Sequence, residues 1–134
     1  MSYATQSSSY REMEIHAASP HKLVVIVFEQ LVVNLERARI AMERNDLELR
    51  VTALRRSRDI VTELLGTLDF EKGGAIATEL ADLYQYMLYE LVDVGTRGDL
   101  YTMRKLVNIA TLLRDGFVGA AEQLAAPKSS LKSA

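Results

Sequence analysis

Residues 23–33 read LVVIVFEQLVV and place nine apolar side chains in eleven positions. A helix that spans a membrane needs about 20 such residues, whereas this run is interrupted by Glu29 and Gln30 and followed by the polar residue Asn34. The run therefore predicts a helix of a protein core, and we expect no membrane insertion. The preceding stretch carries charges of both signs, and no small-residue cleavage site follows the run, which argues against a signal peptide.

Length and composition indicate one compact domain. The chain has 134 residues, 49% of them hydrophobic, which is enough for a core that buries most of the available surface. The formal net charge is −2 and the pI about 5.7, so no overall positive field attracts nucleic acid or an anionic membrane. Cysteine is absent from the sequence, which removes disulfides and thiolate chemistry and is typical of a reducing cytoplasm. We expect a cytoplasmic protein with no nucleic-acid partner.

Capping residues define the first two helices. Ser19 and Pro20 suit an N-cap and a first helical position, and this helix should run to about Glu43. Asp46 is placed to cap a second helix, which should end near Gly66.

Glycines mark the limits of the last two helices. A connector, LDFEKGGA at residues 68–75, contains Gly73 and Gly74, which permit a sharp turn before the third helix. The third helix should stop at GTRGD, residues 95–99, and Asp99 can cap a fourth.

Four helices joined by short connections favour an all-α fold, an antiparallel up-down four-helix bundle. The predicted domains are an N-terminal lead at residues 1–18, partly ordered and able to cover a groove, the bundle at 19–125, and a disordered tail at 126–134. Each helix carries apolar residues at alternating steps of three and four, which we assign to the core. These core lines are Val24, Phe28, Leu31, Leu35, Ala38 and Met42; Leu47, Val51, Leu54, Val61, Leu65 and Leu68; Ile76, Leu80, Leu83, Met87, Leu91 and Val94; and Met103, Leu106, Ala110, Leu113, Phe117, Ala120 and Leu124.

The first helix has a second apolar line that the core does not need. At about 100° per residue, Ile26, Val33 and Ile40 fall close to the side opposite the core line, and we call these three residues the outer line. Isolated apolar residues are ordinary on protein surfaces. Alternatively an amphipathic segment covers the outer line, either the chain's own lead around Tyr10 and Ile15 or a helix of another protein. The residues alone leave these interpretations open.

Two tyrosines of the third helix also lie away from its core line. Tyr86 and Tyr89 should point outward. Tyrosine combines a large rigid contact area with a polar tip, which suits a recognition surface, although an outward tyrosine lying along its own helix is the commoner case.

The sequence has no arrangement typical of catalysis. Neither His16 nor His21 follows a glutamate by three residues, as a di-iron bundle requires, and the chain lacks a phosphate-binding glycine loop and a G-x-S-x-G motif. An all-helical enzyme that binds a dianion would need inward arginines, whereas the run ALRRSRD, residues 53–59, fans its arginines as a solvated face does. We predict no enzyme activity, no metal and no cofactor.

Two longer stretches resemble a known family. YREMEIHAASPHKLVVIVFEQLVVNLERA, residues 10–38, resembles the opening of the flagellar secretion chaperones that bind flagellin, and IVTELLGTLDFEKGGAIATELADLYQYM, residues 60–87, is similar to their signature across the second loop and third helix. The likeness extends from about Tyr10 to Ala121. The chain differs in having Phe117 where the family usually has tryptophan, and Val27 and Phe28 where it often has Leu-Tyr.

The resemblance implies a non-enzymatic export chaperone. Its partners would be the disordered C-terminal segment of flagellin, which it would keep from polymerising prematurely, and a component of the flagellar type III export gate. The lead, represented by Tyr10 and less directly by Ile15, would occupy a groove in the free state and contact the gate. A different interpretation is a structural or regulatory helical bundle without a client, which would use the outer line for weak self-association.

Overall fold

The structure, a computed structural model, describes the backbone of residues 20–125 and the side chains of residues 22–120. Four helices account for all but seven of the described residues, and no strand occurs among them. They are α1, Pro20–Arg44; α2, Leu47–Gly66; α3, Phe70–Arg97; and α4, Leu100–Ala125. The all-α prediction is confirmed, whereas the lead and the tail lie outside the described residues.

The connection between α1 and α2 follows the predicted capping. Asn45 has a positive φ of 56°, which lets the backbone reverse after α1. Asp46 then caps α2, because its carboxylate accepts a hydrogen bond of 3.1 Å from the backbone N–H of Leu49. A side-chain acceptor at this position satisfies one of the donors that a helix start leaves unpaired.

Helix α3 begins earlier than the sequence predicts. The Asp69 carboxylate accepts hydrogen bonds from the backbone N–H groups of Glu71 and Lys72, so the chain is already helical from Phe70. The assignment of residues 70–73 to a connector was therefore wrong. Gly74 nevertheless makes the sharp bend that was expected, with φ 52° and ψ −126°, a conformation that favours glycine.

Helices α2 and α3 are antiparallel neighbours, and an arginine joins them. Arg50 Nη2 donates hydrogen bonds to the carbonyl oxygens of Val94 at 3.1 Å and Gly95 at 3.0 Å. These carbonyls lie in the last turn of α3, where a helix leaves most of its carbonyl oxygens without an intrahelical partner. Gly98 ends the helix in the left-handed conformation, with φ 68°, and its N–H bonds Val94 O at 2.8 Å.

Asp99 caps α4 as predicted. Its carboxylate accepts hydrogen bonds from the Tyr101 backbone N–H at 3.0 Å and from the Thr102 hydroxyl at 2.6 Å. The hydroxyl is the main reason that the pKa of Asp99 lies below its usual value.

The chain divides into two compact units. Among described residues, the smaller comprises residues 20–29 and 112–125. In it, Phe28 is buried and its ring stacks on Phe117, with centroids 5.0 Å apart and an interplanar angle of 18°. The larger unit, residues 30–111, contains the rest of α1, all of α2 and α3, and the start of α4.

The core of the larger unit confirms the lines predicted for α1 and α4 over that range. Leu31, Leu35, Ala38 and Met42 are buried on α1, and Met103, Leu106 and Ala110 on α4. On α2 the buried residues are Ala53, Leu54, Ser57, Val61 and Leu64, and on α3 they are Ala77, Ala81, Tyr84, Met87, Leu91 and Val94.

Three large apolar residues assigned to core lines are exposed instead, as is the small residue Ala120 of α4. Leu47 and Val51 lie on the surface of α2, and Ile76 on the surface of α3. On α2, small residues form part of the buried face, and Ser57 is accommodated there because its hydroxyl donates to the Ala53 carbonyl at 2.8 Å. On α3, the buried residues Ala77, Ala81 and Tyr84 each lie one position after the predicted line, whereas the predicted residues from Met87 to Val94 are buried as expected.

Tyr84 makes the stability of the fold sensitive to high pH. Its side chain is 2% exposed, and burial raises its pKa to about 12 from the usual 10. A folded state that keeps the proton longer than the unfolded state is stabilised below pH 10 and loses that stabilisation as the pH rises towards about 12. We expect a loss of about 2 kcal/mol over this window.

Urea unfolding at pH 8, 10 and 11.5 measures this effect. Tyr84→Phe should flatten the decline in unfolding free energy, whereas Tyr89→Phe, at an exposed position of the same helix, should leave it unchanged. Equal slopes in both variants would show that Tyr84 is not its origin.

Candidate partner-binding surface

The outer line is accessible in the larger unit. Val33 is 41% exposed and Ile40 is half-buried, seven residues further along α1. Both lie on the side of the helix away from the fully buried Leu31 and Leu35. Ile26 belongs to the smaller unit, where it is half-buried. The helices of the larger unit therefore leave the side chains of Val33 and Ile40 at least partly exposed.

One edge of this surface carries acidic residues that are already paired. Arg39 bridges two carboxylates, with Nη2 2.7 Å from Glu36 Oε2 and Nη1 3.0 Å from Glu43 Oε1. Arg104 of α4 adds a contact of 3.2 Å to the same Glu43 oxygen. The bond from Arg104 is the main cause that lowers the pKa of Glu43, and the bond to Glu36 is the main cause that raises the pKa of Arg39. This network links α1 to α4.

A shallow depression lies beside the same network. It has a volume of about 370 Å³ and is lined by Glu36, Arg39, Arg104, Val107, Asn108 and Thr111. Five of its six lining residues are polar or charged and it is widely open to solvent, unlike the concave apolar cavities that hold small molecules. The depression therefore does not resemble a substrate site.

The other edge of the outer line is basic. Arg37 and Arg44 are exposed, and neither has a carboxylate partner within the part of the chain that the structure describes. A segment laid along Val33 and Ile40 would therefore meet a neutralised acidic edge on one side and two available cations on the other. Such an arrangement favours an apolar segment with acidic residues on one flank.

The two predicted tyrosines lie on α3. Tyr89 is exposed, as expected. Tyr86 is half-buried, with Lys105 Nζ of α4 5.5 Å from the centroid of its ring, and interaction with Tyr86 raises the pKa of Lys105. The described contacts do not join these tyrosines to the outer line, and Tyr10 and Ile15 lie outside the described residues.

Sequence reasoning missed several exposed apolar residues. Besides those wrongly assigned to the core, Leu49, Phe70, Val92, Tyr101 and Leu112 are exposed. The exposure of Val92 could have been predicted from Leu91, which belongs to the predicted core line. The next residue on a helix points about 100° away, so Val92 should point away from the core.

Two kinds of feature are absent from the described part of the chain. No helix in residues 20–125 is long and apolar enough to cross a membrane. The same residues contain no group of three or more histidine, cysteine, aspartate and glutamate side chains that could hold a metal ion.

The fold and its exposed helical faces define an all-α protein of the helical-bundle class. A solved structure described as the crystal structure of a flagellar chaperone from bacteria matches it with a TM-score of 0.72, covering 89% of this chain and 98% of that one at 18% identity. This likeness in fold confirms the predicted bundle class.

Sequence comparison then identifies the family. The family model of the flagellar protein FliS matches residues 1–124. The flagellar secretion chaperone FliS of Salmonella typhimurium is 32% identical over 107 residues, covering 79% of each chain. That of Campylobacter jejuni is 36% identical over 104 residues, covering 76% of this chain and 80% of its own. The chain belongs to the FliS family.

The family assignment confirms two predictions. The resemblance to flagellar secretion chaperones holds over nearly the whole chain. Proteins of this family are chaperones and not enzymes, in agreement with the expectation of no catalytic activity.

Proposed function

We propose that this protein binds the disordered C-terminal segment of flagellin in the cytoplasm, prevents its premature polymerisation and delivers it to the flagellar type III export gate. Family membership supports a flagellar export chaperone, and relatives that carry the name flagellar secretion chaperone support the export role. The observation that carries the proposal is the exposure of Val33 on a helix whose opposite face is fully buried.

The outer line suits an amphipathic client segment. A segment that is disordered alone gains free energy when it folds against an apolar surface, because its apolar face leaves water at that moment. Val33 and Ile40 supply such a surface, and Ile26 precedes Val33 by seven residues, the spacing on which the outer line was predicted. The unpaired Arg37 and Arg44 would bond acidic residues of the client and fix its register.

The remaining predicted residues have supporting roles. Tyr10 and Ile15 of the lead would cover the outer line in the absence of client and contact a component of the export gate when the client is bound. Tyr86 and Tyr89 would make additional contact with a client that extends around the bundle, since tyrosine gives rigid contact area with little loss of side-chain entropy.

Calorimetry with a synthetic peptide of the flagellin C-terminal segment tests the proposal. We expect saturable binding with a negative heat-capacity change, because apolar surface is buried in the complex. Sedimentation at several concentrations supplies the comparison: a chaperone should stay monomeric until client is added. Concentration-dependent dimers that ignore the peptide would instead support the self-associating bundle and contradict the proposal.

A further inference from the structure

A second apolar strip lies at the outer edge of the contact between α2 and α3. Leu47 and Val51 of α2 are exposed, the latter by 56%, and Val92 of α3 is exposed by 58%. All three belong to the larger unit and lie on helices other than α1. No described residue covers them.

The contacts between the two helices place these residues on one side. Arg50 bonds the carbonyls of Val94 and Gly95, and Leu54 Cδ1 lies 3.9 Å from the position that a Cβ on Gly95 would take. Val51 and Arg55 directly follow Arg50 and Leu54, so each points about 100° further round α2, towards the outside of this contact.

Val92 has the matching position on α3. It precedes Gly95 by three residues, about 60° round the helix, on the side away from the buried Leu91 and Val94. We call the surface formed by Leu47, Val51, Arg55, Arg58 and Val92 the α2/α3 groove.

The charges of this groove lack partners. Arg55 and Arg58 form no ion pair or hydrogen bond with any residue in the described range, although Asp59 follows directly. By contrast, Arg39 and Arg104 are held by carboxylates. Unpaired guanidinium groups beside apolar side chains are available to bond carboxylates of a docked protein.

We propose that the α2/α3 groove docks an amphipathic helix of a partner protein, with apolar residues against Val51 and Val92 and acidic residues against Arg55 and Arg58. The distance along α2 from Leu47 to Arg58 is about 16 Å, which matches roughly three turns of a partner helix. The net charge of −2 and the apolar residues at one end of the strip favour a protein over nucleic acid. This site is additional to the client surface proposed on α1.

Two synthetic helical peptides of roughly 18 residues test the proposal, since that length can hold a helix. They share one leucine stripe and differ only in having glutamate or lysine beside it. At low salt the glutamate peptide should bind, shift amide resonances in residues 47–58 and 88–96, and weaken as salt is raised. The lysine peptide should not bind measurably. Arg55→Glu should weaken the glutamate peptide about five- to tenfold.

Lys72→Glu is the matched control, because it makes the same change in charge at an exposed residue of the first turn of α3. It should leave peptide affinity unchanged, and equal losses in the two variants would overturn the proposal. Because the outer line also suits an acidic amphipathic segment, peptide affinity for the groove is read from the shifts of residues 47–58 and 88–96 in a Val33→Glu background. A footprint that spares those residues, or self-association that Arg55→Glu abolishes, would also overturn the proposal, the latter by assigning the groove to a second copy. Arg55→Glu should not alter binding of the flagellin segment, and Val33→Glu should not alter the shifts that the glutamate peptide causes in residues 47–58 and 88–96, so the two proposals fail separately.

Discussion

Replacing Ile26, Val33 and Ile40 together with glutamate is expected to abolish binding of the flagellin C-terminal segment, with affinity falling by about 100-fold or more. The substitutions remove the apolar contact surface, and glutamates at positions 33 and 40 would occupy Arg37 and Arg44, the cations assigned to the client, four residues further along α1. A 100-fold loss corresponds to about 2.7 kcal/mol. Helicity and thermal unfolding should change little, because Val33 is exposed and the other two are only half-buried. Calorimetry of the flagellin peptide against the variant gives the affinity.

Single substitutions guard against damage to the fold. Val33→Glu alone should lower affinity about tenfold or more, whereas Leu112→Glu, at a residue of α4 that is 64% exposed, should leave it unchanged. Circular dichroism of both variants should match the unmodified protein. If Val33→Glu bound the flagellin peptide with undiminished affinity, the outer line would not be the client site.

Replacing Leu91 with alanine is expected to lower the free energy of unfolding by about 2 to 5 kcal/mol. Leu91 is completely buried on α3, so truncation removes apolar contacts and leaves a cavity that the neighbouring helices fill only partly. Domains of this size are stabilised by roughly 5 to 15 kcal/mol, so the loss should be evident in the midpoint of a urea titration.

Two exposed residues of α3 provide the comparison. Val92→Ala and Ile76→Ala should each cost less than about 0.5 kcal/mol, since both side chains are exposed. Ile76 discriminates between the two descriptions of the helix, because the predicted core line included it. A cost at Ile76 close to that at Leu91 would mean that the line before Tyr84 is buried after all.

The parts of the fold that the sequence predicts well are those with local causes. Pro20, Asp46 and Asp99 mark helix starts because a missing N–H or a side-chain acceptor acts within one turn. Gly98 and Gly74 adopt positive φ, where a glycine has no steric penalty. The start of α3 was missed because Asp69 was read as part of a glycine-rich connector, although it is itself a capping residue.

Which face of α2 and of α3 is buried depends on information that the spacing of apolar residues does not contain. Ala53, Ser57, Ala77 and Ala81 are buried where helices approach closely, and small or polar side chains carry little weight in an apolar pattern. Tyr84 is buried although tyrosine is commonly only partly so. The α1 line, built from Leu31 and Leu35 and bounded by charges, contained no such ambiguity.

The candidate surfaces were predictable to a different degree. The outer line follows from periodicity alone, because no single helix can bury two opposite faces in one core. The α2/α3 groove did not follow, because Leu47 and Val51 had been assigned to the interior and the arginines to solvation. Whether the arginines form ion pairs within the protein decides between a solvated face and a docking face. Those ion pairs depend on distances between helices that the sequence does not supply.

The hydrogen bonds that Arg50 donates to Val94 and Gly95 have a consequence for acid tolerance. Peptide carbonyl oxygens keep their acceptor character at acidities that neutralise carboxylates, and guanidinium keeps its charge throughout. The fastening between α2 and the end of α3 should therefore survive in acid solution, after the Glu43 link between α1 and α4 has lost its charge. On acidification the molecule should loosen first along the α1–α4 seam, with the α2–α3 hairpin the last part to open.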